Sequence, residues 1–290
     1  IHGGPFANIA HGCNSIRATS LALKLGDYVI TEAGFGSDLG AEKFLDVKCR
    51  KTGLKPDLVV IVATIKALKY HGGASKENIL EKNDKALENG MENLLKHVHN
   101  MKNEFGLNVI VALNKYTTDT DEEIEFVRNG LKKYDIELSL VEGWAKGGEG
   151  AIDIAEKVVK LANQPTKFKF IYDDDDSIKT KIEKVATKIY GATGVRFLDE
   201  ANQNIEKLEK LGKSNLPICI AKTQYSLSDD DKNLECKEPF EITVRDVALK
   251  NGAGFIVVYS GKILTMPGLP KVPAAEGIDI DEQGNVIGIF

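Results

Sequence analysis

The sequence is short of several residue types. In 290 residues it has one tryptophan, three methionines, eight prolines and four cysteines. The cysteines, Cys13, Cys49, Cys219 and Cys236, form no CxxC pair. That excludes a disulfide framework and points to a reducing, cytoplasmic setting. His and Cys never cluster at zinc-ligand spacing. No apolar run is long enough to span a bilayer. The net charge is only −5, so there is no footprint for nucleic acid. No signal-peptide zones open the chain. It starts at Ile1, inside a glycine-rich motif, and so reads as a fragment whose end, "GNVIGIF", is a finished strand. No GxxxxGK[ST] phosphate loop occurs; if the protein uses ATP, its main phosphate cradle is expected outside these residues.

What is present is ordinary globular composition, 42% hydrophobic and 28% charged. Short β-branched runs at 27–31, 57–64, 108–114, 137–141, 168–172 and 216–221 read as buried strands. Apolar residues at helical spacing mark 14–25, 76–105, 121–134, 149–162, 177–190 and 199–211 as helices. The alternation predicts an α/β fold with a largely parallel sheet. Near the end, "EITVRDVALKNGAGFIVVYSG" reads as an antiparallel pair joined at Asn251–Gly252. A domain break is expected near 97–107. In open α/β sheets ligands sit outside the carboxyl ends of the strands. The stretches after five of the runs are rich in Gly, Lys, Asp, Thr or aromatics. They are expected to converge on one edge.

Several motifs invite named chemistries. "GFGSDLG" has GxGxxxG spacing, not GxGxxG, and the next strand ends without a ribose-binding carboxylate. That argues against an NAD site and leaves a tight turn or an anion-facing loop. "NKYTTD" begins like the guanine-reading Asn-Lys-x-Asp, but Thr117 stands where the carboxylate belongs and Asp119 comes two positions late. No guanine site is assigned. Asn14 or Ser15 suits a helix N-cap, with His2, Asn8 and His11 ahead of it. "DDDD" at 173–176 reads as a solvated helix start, because neighbouring acids point different ways.

The single Trp144 sits in "EGWAKGGEG", beside glycines rather than in an apolar run. Tyr116 holds the same place after the neighbouring run. Two aromatics on adjacent loops are able to clamp a flat ring, with ordinary packing as the alternative.

The motifs "HGGPFANIAHGCNS", "TEAGFGSDLGAEKF", "DVKCR", "VATIKALKYHGG", "WAKGGEG", "AKTQYSLSDD", "TVRDV" and "MPGLPKVPAA" resemble those of the formate–tetrahydrofolate ligases, from the first residue to the last. The family enzyme is roughly twice this length, so the resemblance implies the C-terminal half of one. It implies a P-loop NTPase-like fold. Residues 1–96 would be the distal part of the nucleotide-binding domain and 97–290 the C-terminal domain. It also implies that ATP with Mg2+ phosphorylates formate, and that N10 of tetrahydrofolate attacks the formyl phosphate. A monovalent cation, K+ or NH4+, activates the family, which forms cytosolic homotetramers.

By motif, Trp144 matches the Trp that stacks on the pterin and Tyr116 the opposing aromatic, more often Phe. Phe35, Gly40 and Ala7 match residues at the formyl phosphate. Lys222, Thr223, Gln224 and Tyr225 match a nucleotide-side loop. No metal ligand is assigned. The family's phosphate loop and an arginine for formyl phosphate belong to the missing N-terminal half. This chain alone is therefore expected to be inactive. The alternatives are a non-catalytic folate-binding or assembly fragment and, from another class, an NAD-dependent oxidoreductase resting on "GFGSDLG".

Overall fold

A computed structural model describes residues 6–263, 271–284 and 286–288. His2, all of "MPGLP" and the last two residues lie outside them.

Three parallel strands form one sheet in the order β1 (Leu58–Ala63), β2 (Asn108–Asn114), β3 (Glu137–Val141). β2 is central, and its run Val109 to Leu113 is buried on both faces, as a parallel strand requires. β1 is an edge strand with Val60 and Val62 exposed. The flanking helices are set by local chemistry. α3 (Ile65–His71) starts at Thr64, whose hydroxyl accepts from Ala67 N. α4 (Asp84–His99) is capped by Asn83 and continues as a π turn, Asn100–Glu104. α5 (Asp121–Lys132) has a complete capping box between Thr120 and Glu123. A second sheet runs β4 (Gly194–Phe197), β6 (Glu241–Lys250), β7 (Phe255–Ser260), β5 (Ile218–Ala221). Only its β6–β7 pair is antiparallel, and a four-residue turn, 251–254, joins it rather than a two-residue one. β8 (Asp279–Ile280) and β9 (Val286–Ile287) make a small antiparallel ribbon. The fold is thus mixed α/β with mainly parallel pairing, as expected. One buried apolar cluster joins both sheets, from Leu45 through Val111 to Val258.

α1 (Ile16–Leu25) is capped by the Ser15 hydroxyl. α7 (Ile152–Ala162), α8 (Ile178–Val185) and α9 (Asp199–Lys210) fall where the apolar periodicity placed helices. Ser177 caps α8 directly after the four aspartates.

Two strand expectations fail. Residues 27–31 are irregular, with Tyr28 and Ile30 exposed, and the nearest pairing is an isolated bridge, Cys13 to Ala33. Among the described residues no neighbouring strand satisfies the run. Residues 168–172 are extended but pair only through Lys167 N and Lys169 N to the 105–106 carbonyls. Their aromatics instead flank Arg50, whose guanidinium lies 4.1 Å from the Phe170 ring and 4.5 Å from the Tyr172 ring. A third difference is a gain. Residues 37–52 form a mostly π-helical element, α2, buried on nearly every side.

Candidate functional site

The expected single edge of loops resolves into two clusters. The first lies at the carboxyl ends of β2 and β3. The register pairs Asn114 with Val141, so the residues that follow them emerge side by side. Lys115 N donates to Val141 O at 3.0 Å. Trp144 then reaches back across the gap, and its indole Nε1 donates to Lys115 O at 3.0 Å. This satisfies the only polar atom of the ring and leaves its faces free. Trp144 is 69% exposed and Tyr116 49%, so neither is a core residue. The ordinary-packing alternative for Trp144 therefore fails.

Short-range contacts stiffen both loops. Glu142 O accepts from Ala145 N and Lys146 N, forming the turn α6 (Gly143–Lys146). Glu142 N donates to Gly150 O, which closes the glycine loop. A Cβ at Gly143, Gly147 or Gly148 would meet nothing within 4 Å. Those glycines leave space open beside the indole. On the β2 side, Asp119 Oδ2 accepts from Tyr116 N at 2.8 Å and Asp119 N donates to Tyr116 O at 3.1 Å.

The second cluster joins residues 6–12, the 33–40 segment and the end of β5. Lys43 on α2 is fully buried, and its Nζ donates to Ala7 O at 2.9 Å and Asn8 O at 3.0 Å. Lys222 is also fully buried. Its Nζ pairs with Asp38 Oδ2 at 2.8 Å, donates to the Thr223 and Ser226 carbonyls, and sits 4.9 Å from the Tyr190 ring. Burial alone would raise the Asp38 acid; the Lys222 charge and its hydrogen bond, with His97 and the Asp38 main-chain amide, together more than offset it and hold Asp38 below the usual carboxylate range. Asn8 Oδ1 accepts from Lys222 N at 3.0 Å. Beside this pair, Ser37 Oγ lies 2.7 Å from His97 Nδ1, and burial holds the His97 imidazole below its ordinary value, in the neutral form.

Ala7, Phe35 and Gly40 meet here. Phe35 adopts a left-handed φ of 66°, uncommon for a bulky residue, with its ring edge-on to Phe6 at 5.8 Å. Gly34 N donates to Gly12 O, and Gly40 packs directly against the Gly34 carbonyl. "GFGSDLG" therefore follows no strand and is a tight, internally bonded entry into α2. This removes the strand on which the NAD reading depended. Thr223 is buried, while Gln224 and Tyr225 are exposed. Lys222 itself is enclosed by protein partners, so its ammonium faces no solvent-borne ligand in this conformation.

Sequence reasoning missed the ionisable interior of α2. Asp38, Glu42, Lys43, Asp46 and Lys48 are all buried. The i, i+4 spacing of Asp38, Glu42 and Asp46 is a signal in the sequence, but an acid and base run normally reads as a solvated face. Glu42 Oε1 and Oε2 and Asp46 Oδ2 have no hydrogen-bond donor. Burial, then the Asp46 charge, pushes the Glu42 acid well up. Burial raises Asp46 to about 7, against the opposing Arg50 charge and Ile171 amide.

Asp46 holds its proton in the folded chain up to about 7, against 3.8 for the ordinary group. The folded state therefore binds the extra proton inside that window, and stability falls as pH rises through it. Asp46→Asn should flatten this fall. Urea midpoints at about pH 4, 5.5 and 7.5 measure it, and parallel curves for the two proteins would contradict the assignment.

A family model described as formate–tetrahydrofolate ligase matches residues 1–290, the whole chain. No helix among the described residues is long and apolar enough to cross a membrane.

Proposed function

The chain belongs to the formate–tetrahydrofolate ligase family, and from that premise we propose that its β2–β3 edge binds the pterin ring of tetrahydrofolate. The observation that carries this reading is the pair Trp144 and Tyr116. Both are exposed, they stand on adjacent strand ends, and the indole is anchored edge-on by Lys115 O. A flat bicyclic ring matches such a pair, because aromatic faces attract by stacking and lose little conformational freedom.

The reaction we assign follows the resemblance. ATP with Mg2+ phosphorylates formate, and N10 of tetrahydrofolate attacks formyl phosphate to give 10-formyltetrahydrofolate. Ala7, Phe35 and Gly40 form part of the wall of the formyl phosphate site. Thr223, Gln224 and Tyr225 lie on the nucleotide side, with Lys222 beneath them. No resident metal ligand is assigned, and K+ or NH4+ acts as activator. Residues 1–96 and 97–290 are the two domain portions of a P-loop NTPase-like, cytoplasmic homotetramer. The ATP phosphate cradle comes from a segment outside these 290 residues. A fragment that binds folate or assembles without turning over is the second reading, favoured by the missing GxxxxGK[ST] pattern. Adding an N-terminal half in trans separates the two: ligation appears under the first and not under the second.

Calorimetry tests the clamp. Tyr116→Ala should weaken tetrahydrofolate binding by about 1–2 kcal/mol, as loss of one stacking face does, and Tyr116→Phe should preserve it. Equal affinity for all three proteins would remove Tyr116 from the site.

A further inference from the structure

We propose that Asp119 reads the amino-pyrimidinone edge of the ring held between Tyr116 and Trp144. This rests on the pterin reading above and adds a specificity-determining residue to it. Asp119 ends the stretch "NKYTTD", which begins like a guanine-reading motif. In the guanine-reading pattern a carboxylate accepts two N–H bonds, from a ring N–H and an adjacent amino group. The sequence places Asp119 too late for that spacing. The structure shows where the delay goes: residues 116–119 fold back as a turn, so the carboxylate returns to the main chain of Tyr116.

One carboxylate oxygen is held. Asp119 Oδ2 accepts from Tyr116 N at 2.8 Å. The other has no hydrogen-bond or ion-pair partner among the described residues, although Lys115, Lys69 and Glu123 all act on the group electrostatically. Lys69 is engaged by Glu123 at 2.5 Å, and Lys115 lies 3.6 Å from Asp121. Neither lysine neutralises Asp119 by direct contact. The side chain is half-buried, and its second oxygen is not enclosed by protein, so a donor arriving with a ligand is able to reach it. The indole anchor, Lys115 O, and the carboxylate anchor, Tyr116 N, belong to the same peptide unit. One rigid unit thus fixes both a stacking face and an acceptor.

The pterin of tetrahydrofolate carries N3–H beside a 2-amino group, the same donor pair that guanine presents. A half-desolvated carboxylate accepts such donors through charge-assisted bonds, which are the stronger class. The competing explanation is that Asp119 only closes its turn. The two differ in one measurable respect, since a turn-closing role is blind to the 2-amino group of the ligand.

The test is a titration of the full chain with tetrahydrofolate and with its analogue bearing 2-methyl in place of the 2-amino group. Wild type should bind the analogue about ten- to a hundredfold more weakly, the range of one hydrogen bond to a charged group. Asp119→Asn keeps an oxygen for Tyr116 N and turns the other acceptor into a donor. It should weaken tetrahydrofolate by a similar factor and the analogue by less, because the analogue keeps N3–H but lacks the 2-amino donor. If wild type binds both ligands equally, the inference falls, whether or not the variant folds. If the variant loses both ligands alike, Asp119 is a turn residue and the inference also falls. If wild type binds no tetrahydrofolate, the pterin reading falls first and takes this inference with it. Guanosine distinguishes the source of the edge: it should compete more weakly than tetrahydrofolate, and tighter binding of guanosine would overturn the folate assignment.

Discussion

Replacing Gly40 by alanine should lower stability by about 3 kcal/mol or displace the whole 33–40 segment. A Cβ built there lies 1.9 Å from Gly34 O and 2.8 Å from Gly34 C. Both neighbours are backbone, so no flexible side chain is available to move aside. Gly34 is itself held by its bond to Gly12 O, and α2 beneath Gly40 is buried on nearly every side. The strain therefore passes into Phe35 and the 6–12 loop rather than into solvent. Gly148→Ala is the matched control, because a Cβ there meets nothing within 4 Å. Urea unfolding of the two variants should separate them by most of that amount. Equal midpoints would mean that the 33–40 loop is not packed as described.

The second large effect concerns the buried pair Asp38–Lys222. Asp38→Asn leaves the Lys222 ammonium enclosed with carbonyl partners and an aromatic face but no counter-charge. Breaking such a pair from one side costs about 3–5 kcal/mol, whereas removing both charges costs much less. Lys222→Met should be equally damaging, and the double variant Asp38→Asn, Lys222→Met should be more stable than either loss alone implies. The pair is enclosed, so added salt should change the coupling little. A double-mutant cycle measures the coupling directly. Additive losses would show that the two charges do not depend on one another.

These two sites also show what sequence reading reached. Strands 108–114 and 137–141 were placed to the residue, because a continuous β-branched run between helical stretches has one good solution in a parallel sheet. Ser15, one of the two cap candidates, signals its helix through capping chemistry, whereas the Thr120 capping box is seen only in the structure. The exposure of Trp144 is legible because a Trp among glycines conflicts with ordinary core patterning. The run at 27–31 looked equally strand-like, yet β propensity describes fit to a partner surface and no partner strand is beside it. β4 escaped notice because four residues, Gly194–Phe197, carry too little periodicity. The helix 37–52 escaped for a deeper reason. Its charges point inward to Ala7 O, Asn8 O, Lys222 and one another, and those pairings are set by residues far away in the chain. Local pattern cannot reveal partners that only tertiary structure supplies.

In the proposed function a folate ring lies against Trp144. Because Trp144 is the only indole, its fluorescence reports on that one place. The measurement is a titration of the full chain with tetrahydrofolate, corrected for inner-filter absorption, with Trp144→Phe followed in parallel by calorimetry. Saturable quenching in the wild type, together with weaker calorimetric binding in the variant, is the predicted result. Unquenched emission while calorimetry records tight folate binding would place the ring elsewhere and contradict the clamp.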